Sequence, residues 1–371
     1  MNRSKTNLMI KKIILGMVII VVIAAAAGGY AIYSFFPEDD YVAQFALENP
    51  DKSAFLLIRN DTVIGQQNLH KQMPLASTLK LIIAVEFAEQ VGQGLLNPEE
   101  KIAKKELLQF YVPNSDAGAH NNWSDSDDIL KYGDSIPLIS IAKGMMQYSS
   151  NANSEWLMER LGLKNINNQL TKLDFKDHSP IYPFVSSLFI TKEYFKDKTE
   201  EELIQAIKNL SEEQYINYAL DIHQKMLKDP DYSNQQLDLN ETMQRIWSDR
   251  LPTGSVGDYV ALMKKLNSKT YYDEKTQTVL HEIIETSMRY NSTKEFYKHI
   301  GIKSGSTLFI ITKALYAEDH KGNKTEMAYF FNDLDAQERK KMTMFMKDFD
   351  RAVLRNPIMV QQIQKLYSTD E

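Results

Sequence analysis

Residues 74–90 read PLASTLKLIIAVEFAEQ. Apolar residues fall at 79, 82, 83 and 87, and 81, 84, 85 and 88 widen the stripe, so the run predicts a helix buried on most sides. Pro74 and Ser77 supply its start signals. Just upstream, AFLLIR at 54–59 and TVIGQ at 62–66 flank Asn60-Asp61, a turn pair, and predict a hairpin. Downstream, further helices are expected over 138–161, 256–266, 277–288 and 337–354. Thr307 to Tyr316 and Glu326 to Phe331, rich in β-branched and aromatic residues, read as two strands joined by a turn at 319–323. The order of hairpin, many helices, hairpin and helix implies a mixed α/β (α+β) fold. In it an antiparallel sheet is assembled from both chain ends and flanked by helices. The charged, helix-prone stretch 193–229 reads as an inserted helical lobe or lid, and 111–128, rich in Asn, Asp and Ser, as a loop that could border a groove.

The chain has 371 residues, 43 Lys plus Arg against 49 Asp plus Glu, and no Cys. Without cysteine there are no disulfides, thiolate metal sites or sulfur nucleophiles, so a nucleophile must be oxygen or nitrogen. Arg3, Lys5, Lys11 and Lys12 are the only charges before Glu38, and subtracting them from the net −6 leaves −10 on the remaining chain. Such an acidic body lacks the basic footprint of a nucleic-acid binder. From Ile13 to Phe36 there is no charge at all, and 24 residues of helix would reach roughly 36 Å, enough to span a bilayer. Cations before the span and Glu38, Asp39 and Asp40 after it predict a cytoplasmic 1–12, a transmembrane anchor at 13–36 and an extracellular domain at 38–371. Cleavage of a signal peptide near Ala24 to Ala27 is the alternative, and it exports the same domain.

Three short motifs carry chemistry. Ser77-Thr78-Leu79-Lys80 spaces a hydroxyl and an amine three residues apart at a helix start, on one face. A lysine of lowered pKa activates a serine as histidine does, although a capping serine beside a solvated lysine has the same spelling. Ser140-Ile141-Ala142-Lys143 repeats the spacing inside an amphipathic helix, where no special role is needed. Ser149-Ser150-Asn151 sets a hydroxyl and an amide two residues apart; a turn closed by side-chain hydrogen bonds is its plainer reading. Lys303-Ser304-Gly305-Ser306 opens a strand, with a cation, a glycine that admits a ligand to the backbone, and a strand-edge N–H. A bulge glycine beside an exposed lysine is the alternative there.

The motifs occur in the order Ser-x-x-Lys, Ser-x-Asn, Lys-Ser-Gly. In this the chain resembles the penicillin-recognising serine hydrolases, namely class A β-lactamases and the DD-peptidases called penicillin-binding proteins. The likeness extends over most of residues 50–356, through AFLLIRNDTVIGQ, PLASTLKLIIAVEFA, GMMQYSSNANSEWL and the terminal strands and helix. It implies a β-lactamase/transpeptidase-like fold with an all-helical lobe and a groove between lobe and sheet. It implies that Ser77 opens an amide or lactam carbonyl to an acyl-enzyme, Lys80 takes the serine proton and Ser149 relays one to the leaving nitrogen. Asn151 would hold the substrate amide, Lys303 and Ser304 the substrate carboxylate, and the N–H groups of Ser77 and Ser306, with Gly305 between, the oxyanion. The substrate would be a β-lactam or a cell-wall peptide-like amide. A D-Ala-D-Ala carboxypeptidase or transpeptidase, and a non-catalytic module binding wall peptides or a partner, are the other readings.

Departures from the family pattern matter too. Ser150 stands where class A enzymes have Asp, and Ser304 where they have Thr. The loop Glu-x-x-Leu-Asn that drives hydrolysis of the acyl-enzyme is missing: its expected neighbourhood is HSPIYPFVSSLFI, with no carboxylate from His178 to Lys192. Asp174 and Asp177, slightly earlier, read as solvated loop residues. Slow or absent β-lactam turnover follows as an expectation. His281-Glu282-Ile283-Ile284-Glu285 begins like a zinc-protease helix but has Glu285 where the second histidine is required. No metal or organic cofactor is implied.

Overall fold

Asn60 and Asp61 both take the left-handed conformation, φ 49° and 63°, the paired positive φ that joins two strands tightly. They connect β1 (Ser53–Arg59) to β2 (Thr62–Gln67). The chain is described here by a computed structural model covering residues 39–368. The expected anchor at 13–36, the cytoplasmic 1–12 and the cleavage alternative lie outside the described residues. Among the described residues no helix is long and apolar enough to cross a membrane.

The other three strands come from the far end of the chain: β3 (Tyr297–Ser306), β4 (Ile311–Asp319) and β5 (Lys324–Phe331). The sheet order is β2-β1-β5-β4-β3, antiparallel throughout, with β1 lying along β5 in the register Leu56↔Ala328 and Ile58↔Glu326. The expected sheet from both chain ends is therefore present. Alternation along each strand divides the apolar residues between its faces. Phe55, Leu57, Tyr329 and Phe331 pack under the terminal helices α1 (Tyr41–Glu48), α8 (Ala336–Arg355) and α9 (Pro357–Ser368). Ala54, Leu56, Ala328 and Phe330 face the helical body, where α2 (Lys80–Gly92) and α6 (Val256–Ser268) lie against them.

Three expectations are corrected. The motif Lys303-Ser304-Gly305-Ser306 closes β3 instead of opening a strand, and Thr307 to Ile310 is the turn, held by the Thr307 N–H to Ile310 carbonyl bond at 3.1 Å. The helix expected over 138–161 is broken. After α3 (Leu138–Lys143) comes a π-turn, Gly144–Tyr148, then Ser149 with φ 69°, and α4 (Asn151–Leu161) restarts with Ser150 accepting the Asn153 N–H. Side-chain capping there outcompetes continuation of the helix. Lastly, Ser77 caps nothing: it lies in a 3-10 turn, Ala76–Leu79, from which α2 continues.

The stretch 193–229 is helical as expected, with Glu200–Lys208 and α5 (Glu212–Lys228) each opened by a capping box. Between α5 and α6 the chain returns through Glu241–Asp249, and α7 (Glu274–Ile284) packs against α2 before β3 begins.

Candidate active site

The serine of the first motif is set by its neighbours. Ala76 has φ 45°, a left-handed value that costs an L-residue about 1–2 kcal/mol. Fixed contacts hold it there: Leu75 N donates to Pro252 O at 3.0 Å, and Thr312 Oγ1 donates to Leu75 O at 2.7 Å. With that hydrogen committed, Thr78 Oγ1 donates to Thr312 Oγ1, also at 2.7 Å. Gly305 closes the same junction. A Cβ on it would fall 2.5 Å from Ser77 N and 2.7 Å from Leu75 O, so only glycine lets β3 approach the turn. The first and third motifs, far apart in sequence, are in backbone contact.

Lys80, one turn further on, is fully buried. Its Nζ donates to Ser149 O at 2.6 Å and Asn151 Oδ1 at 2.8 Å, with Ser149 Oγ at 3.3 Å. Lys303 Nζ reaches the same Ser149 Oγ at 3.0 Å and Ser304 O at 3.0 Å. One hydroxyl thus sits between two amines. Neither amine makes an ion pair among the described residues, and removal from water disfavours their charged forms. Burial, reinforced by the Lys303 charge, holds Lys80 well below the usual lysine range. Burial alone brings Lys303 down to about 7. A neutral Lys80 has two hydrogens for its two close acceptors and keeps a lone pair, as a general base requires.

The left-handed Ser149 is what aims its side chain at these amines while its carbonyl takes the Lys80 bond. Ser150 Oγ, besides capping α4, is 3.0 Å from His120 Nδ1. Burial keeps the pKa of this histidine low.

The loop after His178 is fastened from below. Glu155, fully buried on α4, accepts from Val185 N at 2.7 Å and Ser186 N at 3.0 Å, from Ser186 Oγ, and lies 3.1 Å from His223 Nδ1. His223, on the inserted α5, also meets Glu159 Oε2 at 3.0 Å and stacks on Phe110. Trp247 Nε1 holds Phe184 O at 2.9 Å. Together these bonds seat the Phe184 ring 5.7 Å from Lys80 Nζ. A phenyl ring, with no charge or lone pair to offer a water, occupies the flank of the amine. Asp174 and Asp177 are engaged elsewhere, Asp174 in an ion pair with Lys176 and Asp177 Oδ2 at 2.8 Å from His70 Nδ1.

The motifs open on a groove of about 800 Å³ lined by Ser77, Ser149, Asn151, Lys303, Ser304, Gly305 and Ser306. Every residue named as a candidate from the sequence is at or beside this groove. Missed from the sequence were Phe184 and Glu155, and two groove charges, Asp116 from the 111–118 loop and Arg339 from α8. Only Glu155, next to the apolar run Trp156-Leu157-Met158, hinted at the loop anchor. The second Ser-x-x-Lys does not join the groove: Lys143 pairs with Glu282 at 2.6 Å, beside a separate cavity of about 860 Å³.

Residues 48–306 match the model of the Beta-lactamase2 family, described as the beta-lactamase enzyme family. No curated protein matches the chain. Among solved structures, a β-lactamase from Sphaerobacter thermophilus is similar with a TM-score of 0.54 at 14% identity, covering 85% of this chain and 96% of its own. A β-lactamase from Chitinophaga pinensis gives 0.51 at 14%, covering 84% and 99%. A representative class A β-lactamase from Bacteroides cellulosilyticus gives 0.50 at 15%, covering 86% and 100%. At these identities the structural likeness is one of fold, and the family assignment rests on the matched 48–306. The chain belongs to the β-lactamase enzyme family.

Proposed function

We propose that the protein is an extracytoplasmic serine hydrolase that is acylated readily by β-lactams or wall-peptide-like amides and releases the acyl group slowly. Ser77 Oγ attacks the carbonyl carbon as Lys80 takes its proton. The oxyanion is held by the N–H groups of Ser77 and Ser306. As the carbon–nitrogen bond breaks, Ser149 delivers a proton to the leaving nitrogen and is resupplied from Lys80. Lys303, cationic below about pH 7, binds the substrate carboxylate with Ser304. The observation that carries this reading is the continuous chain Lys80–Ser149–Lys303, two depressed amines on one hydroxyl at the mouth of the Ser77 groove.

Slow release is supported by Phe184 beside Lys80 and by the engagement of Glu155 with the loop backbone. This favours a penicillin-binding, peptidase-like enzyme over a fast β-lactamase. The uncharged span 13–36, with cations before it, supports a membrane anchor and an exported domain. The test is incubation of the protein with a fluorescent penicillin, followed on a denaturing gel. Covalent label that persists for many minutes, and is absent in Ser77→Ala, is expected; a label lost within seconds would point to a β-lactamase, and none at all would refute the acylation chemistry.

A further inference from the structure

The groove has a second electrostatic feature that the acylation chemistry does not use. Its sheet side carries two cations, Lys303 on β3 and Arg339 on α8. Its lobe side carries Asp116, the one carboxylate among the described residues that line it. Asp116 enters no ion pair among the described residues. Its Oδ2 accepts the His120 N–H at 3.0 Å, while Oδ1 is buried and has no hydrogen-bond donor among the described residues. The loop holds it in place, with left-handed Asn114, Ala117 and Gly118 on either side. Its field also reaches Lys80, where it opposes the loss of the amine's proton.

A ligand that matches both walls carries a carboxylate for the Lys303 side and a cationic amine for the Asp116 side. We propose that Asp116 is the receptor for an ammonium group, so that the preferred acyl donors are zwitterionic amides or lactams with a free amine. This rests on the reading that the groove takes an acyl donor whose carboxylate meets Lys303. A general-base role for Asp116, activating water against the acyl-enzyme, is the competing assignment. Phe184 occupies the flank of Lys80, yet the orphaned oxygen of Asp116 calls for a hydrogen-bond donor, which an ammonium supplies with full charge.

Ampicillin and penicillin G separate these possibilities, since they differ by one amino group in the side chain. The full-length protein is labelled with fluorescent penicillin in competition with each, and equilibrium binding of each to Ser77→Ala is measured by calorimetry. The expected result is a preference for ampicillin of about tenfold in both assays. That ratio should fall to about one in Asp116→Asn and return in Asp116→Glu. Because each variant is judged by its own ratio, partial loss of folded protein does not imitate the effect. Equal use of the two penicillins by the unmodified protein in both assays would overturn the proposal. So would an unchanged preference in Asp116→Asn accompanied by slower loss of label, which would assign Asp116 to water activation. Absence of label with the calorimetric preference intact would remove the acylation chemistry and leave the ammonium site standing.

Discussion

At the scale of single residues, the site is decided by what surrounds two amines. Lys303 has its folded value at about 7 against 10.5 in the unfolded chain. Between those values the native amine is neutral and the unfolded one charged, so unfolding takes up a proton and stability rises with pH across that window. Below pH 7 the full penalty of a buried charge remains. Lys303→Met should therefore be more stable than the natural protein near pH 7, by a few kcal/mol, and the gap should close toward pH 10. Thermal melts at a series of pH values check this; a gap that widens with pH would reverse the sign. If Lys303 holds the substrate carboxylate as proposed, it does so as a cation, and labelling by anionic penicillins should also decline above pH 7. Phe184 gives a second outcome. Phe184→Glu places a carboxylate beside Lys80 where the ring now lies, and the penicillin label should decay at least about tenfold faster, a change of ~1.4 kcal/mol in the deacylation barrier. Decay kinetics on a gel measure it directly, and an unchanged rate would show that the ring is not what retains the acyl group.

At the scale of elements, the loop around Phe184 is only as firm as its anchor. Glu155 satisfies the loop's backbone donors from a site without water, and His223 reaches it from an inserted helix. Glu155→Gln keeps the shape but exchanges a charged acceptor for half an amide, with an expected loss of about 2–4 kcal/mol. Hydrogen exchange at Val185 and Ser186 should accelerate more than that of α4 itself. Much of this architecture was legible from local pattern: the Asn60-Asp61 hairpin, α2, α6 and α8 all follow from period and punctuation. The three motifs were legible as chemistry because each joins residue types that burial makes reactive. What stayed hidden depends on tertiary contact. No spacing in 138–161 announces that Ser149 turns left-handed, because the competing bonds come from Lys80 and His120. The strand 297–306 escaped because its Lys, His, Gly and Ser residues carry little β-propensity, and neighbouring strands supply the ladder. Asp116, in a loop of polar residues, had nothing local to distinguish it from a solvated carboxylate.

At the scale of the whole molecule, the helical body is inserted between β2 and β3, and both of its ends are tied to one sheet. The turn holding Ser77 is bonded to β4 through Thr312, and α6 packs across the sheet face. Neither layer is expected to melt alone. All three tryptophans, Trp123, Trp156 and Trp247, lie in the helical body, so their fluorescence reports that layer, while amide exchange in β5 reports the sheet. The two should lose structure at the same denaturant concentration, and separated midpoints would mean independent units. The pairing of β1 with β5 has a consequence for biosynthesis. Arg59 and Thr325, bonded across that pair, are 266 residues apart. At ribosomal speeds of about 5–20 residues per second, roughly 10–50 s pass before the first hairpin receives its neighbour. For that interval an apolar ribbon emerges with one side unzipped, open to adhesion with sister copies, so a holdase that shields nascent strands would govern how much finished protein accumulates.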